Sequence, residues 1–131
     1  MNNDFQRSCI RSYVDYGMIR SLRSDIAGRD DLERHAEILS MLGDLTRLKI
    51  LYALNKGEEL CVCDLADILD REVSAVSHQL RRLKDRGLVK KRRDGMTIYY
   101  RINRNEESQK ACELIESIFH GAEHLEVAYE N

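Results

Sequence analysis

The sequence predicts a mainly α-helical fold with one β-hairpin, and three observations predict it. Apolar residues recur every three or four positions over most of the 131 residues. Two short runs flanking Asp94-Gly95 instead carry basic, β-branched and aromatic residues, and that dipeptide signals a two-residue hairpin turn. No proline interrupts the chain.

The elements follow in order. Phe5, Ile10, Val14, Met18, Ile19 and Leu22 recur about every four residues, so residues 1–30 are expected to form an arm with a helix in it. Gly28 and Asp30-Asp31 break that pattern. Leu32, Ala36, Leu39, Met41 and Leu42 then predict a helix over 31–42. Asp44 is placed to cap a helix from Leu45, whose apolar face is Leu45, Leu48, Leu51, Tyr52 and Leu54 and whose end is Gly57. Glu58 and Glu59 suit the positive end of a following helix, Leu60 to Leu69.

A polar turn, Asp70-Arg71-Glu72, leads to a helix with Ser74 as its expected cap and Gly87 as its stop. Val73, Val76, Leu80 and Leu83 share a face and are expected to pack inward. At about 100° per residue, Ser74, His78, Arg81 and Arg82 point outward, with Ser77 and Gln79 on the flanks. Helix, tight turn and a helix with a polar, basic outer face make a helix-turn-helix. The hairpin, Leu88–Arg93 and Met96–Ile102, is then a wing, and Lys91, Arg92 and Arg93 make its tip basic. A last helix, Glu106 to Glu126, carries the stripe Ala111, Leu114, Ile115, Ile118, Phe119, Ala122 and Leu125. That stripe is wide enough to call for a second copy of the chain, so dimerisation through terminal helices is expected. The domain plan is an arm at 1–30, a winged helix-turn-helix with its dimerisation helix at 31–126, and a tail at 127–131.

Charge supports a nucleic-acid partner. The net charge is −2, but residues 74–104 hold ten Lys/Arg against two acids, leaving +8 there and −10 elsewhere. Such a local surplus suits the phosphates of double-stranded DNA. With 43% hydrophobic and 34% charged residues the chain is globular. There is no apolar run long enough for a membrane span and no apolar signal core, so a cytoplasmic location is expected. Four cysteines in that compartment favour metal binding or redox sensing over structural disulfides. No Gly-rich phosphate loop or CxxC supports an enzyme.

The order of these elements resembles the ArsR/SmtB family of metal-sensing winged-helix repressors, over about residues 31–126. Glu59-Leu60-Cys61-Val62-Cys63-Asp64-Leu65-Ala66 looks like the family's metal-binding box. Asp44 to Leu51 resembles its dimer-core helix, with Leu45 where the family usually has Pro. Ser74 to Leu83 resembles its reader helix, with Gln79 where His is common. Glutamine pairs with adenine in the major groove, so the change bears on operator preference. The resemblance implies a dimeric repressor of operator DNA whose inducer is an ion held by Cys61 and Cys63.

Two residues apart, those cysteines are separated by about 200° on an ideal helix. They can share an ion only if the backbone leaves helical geometry or if the pair sits at a frayed first turn. The expected coupling is therefore strain in the helix just before the reader helix. Thiolates select soft ions. Two make a weak site. Cadmium/lead sensors of the family add arm cysteines from the partner chain, which implies Cys9 as the third ligand. Their second arm cysteine, four residues on, is Tyr13 here. Three thiolates suit As(III) and Sb(III) first, with Pb(II) and Cd(II) next, while Cd(II) and Zn(II) prefer four ligands. Cys9 also reads as a small apolar arm residue, and Cys112 as a buried one near the helix seam. His120 and His124 have metal-capable spacing, but the start of the helix offers only Asn105, Glu106, Glu107 and Glu113, so terminal-helix Zn(II) is not expected. His35 reads as a surface or seam residue. The alternative function is a repressor switched by thiol oxidation or persulfide formation, pairing Cys61 or Cys63 with Cys9 or Cys112.

Overall fold

The computed structural model describes the backbone of residues 10–130 and the side chains of residues 10–120. It divides into two compact units, Met1–Glu33 and Arg34–Asn131. In the first unit, helix α1 spans Tyr16–Ala27, and the carboxylate of Asp15 accepts the Met18 N–H at 2.9 Å. Met18, Leu22 and Ile26, four residues apart, form an exposed apolar stripe on it.

The second unit holds α2 (Leu32–Leu42, which starts at the boundary), α3 (Leu45–Gly57), β1 (Glu59–Cys61), α4 (Val62–Leu69), α5 (Val73–Asp85), β2 (Val89–Asp94), β3 (Thr97–Ile102) and α6 (Glu106–Glu130). Its core joins Ile50, Leu51 and Leu54 of α3, Leu65 and Leu69 of α4, and Val76, Leu80 and Leu83 of α5 to Leu88, Val89, Tyr100 and Ile102 of the wing. Ala111, Cys112 and Ile115 of α6 close it from the other side. Mainly helical with a hairpin wing, this is the winged helix-turn-helix that the periodicity predicts.

The caps explain several boundaries. Asp44 caps α3, its carboxylate accepting the Arg47 N–H at 3.0 Å. Gly87, at φ +76, ends α5, with its own N–H bonded to the Lys84 carbonyl and the Leu88 N–H bonded to that of Leu83. This left-handed exit favours glycine. Asn105 caps α6 by accepting the Ser108 N–H at 2.8 Å.

Five local expectations change. α6 runs on to Glu130, past the expected end at Glu126, so most of the expected tail is helix. Residues 59–61 are a strand, not the start of a helix. They pair antiparallel with β3 and make the hairpin a three-stranded sheet of order β1-β3-β2. The cap of α5 is Glu72, without a side-chain hydrogen bond, so Ser74 already lies inside the helix. Val73 is 46% exposed, because it sits in the first turn, ahead of the face that Val76 begins. The hairpin loop is Gly95-Met96, one residue later than expected, because Asp94 pairs with Thr97; Gly95 takes φ +62 there. The arm at residues 1–9 lies outside the described residues.

Candidate nucleic-acid interface and cysteine pair

α5 buries Val76, Leu80 and Leu83 completely, which fixes which side it shows to solvent. Ser74, His78, Arg81 and Arg82 are exposed, while Ser77 and Gln79 are half-buried on the flanks. The wing adds exposed Lys91, Arg92 and Arg93. Of these side chains, two carry internal contacts. The Gln79 carbonyl accepts a hydrogen bond from Arg47 at 2.9 Å. The Arg92 guanidinium forms an ion pair with Glu59 at 2.6 Å and lies 4.8 Å from the centre of the Tyr99 ring. That pair holds the Glu59 carboxyl below its ordinary range, mainly through the hydrogen bond. The contact is therefore intact at neutral pH and lost only as pH falls through that lowered value.

The C-terminal end of α5 is tied to the rest of the unit by an Arg86–Glu37 ion pair at 2.8 Å and at one carbonyl. Gly87 O accepts from Asn103 Nδ2 at 2.9 Å and Asn105 Nδ2 at 2.8 Å. The wing's exit and the start of α6 thus position the reader helix together. Asn105 is committed to this junction.

The cysteines sit where β1 becomes α4. Cys61 is the N-cap of α4, half-buried, and its sulfur accepts the Asp64 N–H at 3.4 Å. Cys63 is exposed in the first turn. The pair therefore straddles a strand–helix junction. The pair sits at the helix's first turn rather than inside an intact helix. Cys61 is the register partner of Tyr99, and Glu59, two residues earlier, holds Arg92. The cysteine pair is thus joined through one strand to the wing. Sequence reasoning missed this connection; Glu59 and Arg92 are 33 residues apart.

As donors, two thiols at this junction fit part of a soft-ion site. Among the described residues, no group of three or more His, Cys, Asp or Glu side chains comes together. Cys9, the expected third ligand, lies outside the described residues. Cys112 is buried at 6% exposure, and burial pushes its thiol up, which disfavours the thiolate needed for ligation. The side chain of His124 lies outside the described residues, and His120 is exposed.

On α6, Ala111 and Ile115 face the core, but Leu114, Ile118 and Phe119 remain exposed. A groove of about 260 Å³ runs between α2 and α6, lined by His35, Ile38, Leu39, Lys110, Ala111 and Leu114.

The sequence matches the model of the bacterial regulatory protein arsR family over residues 44–91. It is 33% identical over 111 residues to a cadmium resistance transcriptional regulatory protein CadC homolog of Staphylococcus aureus, covering 85% of this chain and 88% of that one. The chain belongs to the arsR family. A transcriptional repressor SmtB homolog of Synechocystis sp. is 39% identical over 103 residues, covering 79% of this chain and 77% of the relative. Among solved structures, that of the AntR antimony-specific transcriptional repressor aligns with a TM-score of 0.63 at 31% identity, covering 79% of this chain and 92% of the other. ArsR-family proteins are transcriptional regulators rather than enzymes. Among the described residues, no helix is long and apolar enough to cross a membrane.

Proposed function

We propose that this arsR-family protein is a metal-responsive repressor. It binds double-stranded operator DNA as a homodimer and releases it when a thiophilic ion binds Cys61, Cys63 and the Cys9 of the partner chain. The observation that carries the reading is the position of Cys61, which ends the strand bonded to the wing and begins the helix before the reader. Ser74, Ser77, His78, Gln79, Arg81 and Arg82 face the major groove, and Lys91, Arg92 and Arg93 face the backbone. The exposed Leu114, Ile118 and Phe119 and the α2–α6 groove form the dimer face.

Ion binding acts in steps that these residues dictate. Cys61 and Cys63 would hold the ion as thiolates, and the Cys61 sulfur would then give up its hydrogen bond from the Asp64 N–H. The cap of α4 would be lost, and β1, which ends at Cys61, would be disturbed with it. Glu59 would carry that disturbance to Arg92, and so to the wing. The ion thus favours a shape that DNA does not, which is what an inducer must do. Three sulfurs neutralise a trivalent ion, which favours As(III) and Sb(III), with Cd(II) and Pb(II) next. That a similar solved protein is described as antimony-specific, and a similar chain as a cadmium resistance regulator, supports this set.

The test is to titrate the reduced, DNA-bound protein with arsenite, antimonite, Cd(II) and Pb(II) and follow fluorescence anisotropy of the duplex. Intact-mass spectrometry of the same samples, with and without Cys9→Ser, reports stoichiometry. Release by an ion, with one ion per three thiols, is expected. DNA that stays bound with every ion and leaves only with peroxide or polysulfide would establish the redox alternative instead.

A further inference from the structure

Gln79 is held by one end. Arg47 is 9% exposed and spends its guanidinium on three acceptors: Nε on the Met41 carbonyl at 2.9 Å, Nη2 on the Ser40 carbonyl at 3.3 Å, and Nη1 on Gln79 Oε1 at 2.9 Å. A guanidinium has donors only, so the orientation of the Gln79 amide is forced: its oxygen must face Arg47. The amide nitrogen hydrogen-bonds to no described residue. Gln79 is only half-buried, and among the described residues no side-chain nitrogen or oxygen is buried without a partner. Its NH2 therefore opens to solvent, on the flank of the face that carries His78 and Arg82.

We propose that Gln79 is a specificity residue that acts on DNA as a donor only, and that it selects guanine rather than adenine. The bidentate glutamine–adenine pair needs the carbonyl for the N6 amino group and the NH2 for N7. Arg47 takes one lone pair of that carbonyl and holds the oxygen toward α3, so the NH2 is the end of the amide turned to solvent. What remains is an NH2, which can donate to either acceptor of guanine, N7 or O6. Adenine offers one acceptor beside an amino group, and that amino group would face another donor. Arg47, 32 residues away and off the DNA face, thus becomes a positioning residue for base choice. This inference rests on α5 being the reader helix.

The test uses the full-length reduced protein and a pool of double-stranded oligonucleotides with randomised positions. Wild type and variants each select duplexes, and the base-pair position whose preference changes on Gln79→Ala is the one that Gln79 contacts. The wild type is expected to hold guanine there over adenine by roughly tenfold. Gln79→Glu keeps a partner for Arg47 but has no donor, so it should lose that guanine while the other positions stay. Arg47→Met frees the carbonyl and should shift the same position toward adenine. Because Arg47 is buried and that variant risks misfolding, Gln79→Glu decides the matter alone. Adenine at the Gln79-dependent position of the wild type overturns the proposal, as does Gln79→Ala leaving every position unchanged. A wild type that enriches no sequence overturns the DNA-binding reading itself and this inference with it.

Discussion

α5 enters the fold on Val76, Leu80 and Leu83, all at 0% exposure, whereas Cys61 and Cys63 lie half-buried and exposed at the edge of a sheet. The two regions are separated by one short helix, α4, yet they are built to opposite ends. Burying each of the three α5 side chains contributes about 1.5–3 kcal/mol, so the reader's orientation is set before any ligand arrives. Arg47, through Gln79, and the Gly87 carbonyl then hold its middle and its C-terminal end. The cysteine pair has two donors, one of them busy as a helix cap, and needs more chain to become a site. The difference teaches where the default lies: the helix-turn-helix is set by its core, and the sensing proposed for the cysteines would be an added contact that must work against it.

The largest effect should come from the reader. Arg81→Ala combined with Arg82→Ala removes two exposed cations, and DNA affinity should fall by roughly 100-fold at fixed salt, with circular dichroism unchanged. Anisotropy titration checks it, and full affinity in the double variant would remove α5 from the interface. Cys61→Ser should do the reverse: DNA affinity without ion stays as in the wild type, while the ion-induced loss disappears. Couplings of this kind are roughly 5–150-fold, so the loss is easy to see. A Cys61→Ser protein that still released DNA on adding arsenite would show that the response lies elsewhere.

Two smaller effects probe the link between the regions. Glu59→Gln removes the charge that holds Arg92, so ion-induced release should weaken several-fold, within the usual range of allosteric coupling, while the melting temperature stays put because the pair is exposed. An unchanged response would mean that the wing is not the route. Glu58 precedes β1 with φ 64 and ψ −65, a sparsely populated conformation for a residue with a side chain. Glu58→Gly should stabilise the protein by about 1 kcal/mol in urea denaturation. A loss of stability there would mean that the turn is not strained.

The leucine periodicity, the Asp44 cap, Gly87 and the Asp-Gly hairpin signal carry most of the architecture, because each is a local feature with a local cause. β1 was hidden for the opposite reason. Glu59-Leu60-Cys61 has no strand pattern of its own and is extended only because β3 lies beside it. Val73 misled because its spacing fits the buried stripe while its place in the first turn leaves it in water. The outward residues of α5 were legible from helical geometry. The contacts that constrain two of the proposed DNA-facing side chains, Arg47 on Gln79 and Glu59 on Arg92, span 32 and 33 residues, and no periodicity reports such distances.

β1 also carries a consequence measured in time. It is three residues long and lies at the sheet's edge, with β3 on one side only. Such an edge opens locally far more often than the core around it unfolds. Each opening loosens Cys61 from Tyr99 and from the cap of α4 together. Under the proposed sensing, an arriving ion need not force the strand from its place; it would catch one already moving. The speed of that proposed response would be set by how often three residues let go, while α5, held by Val76, Leu80 and Leu83, stays folded.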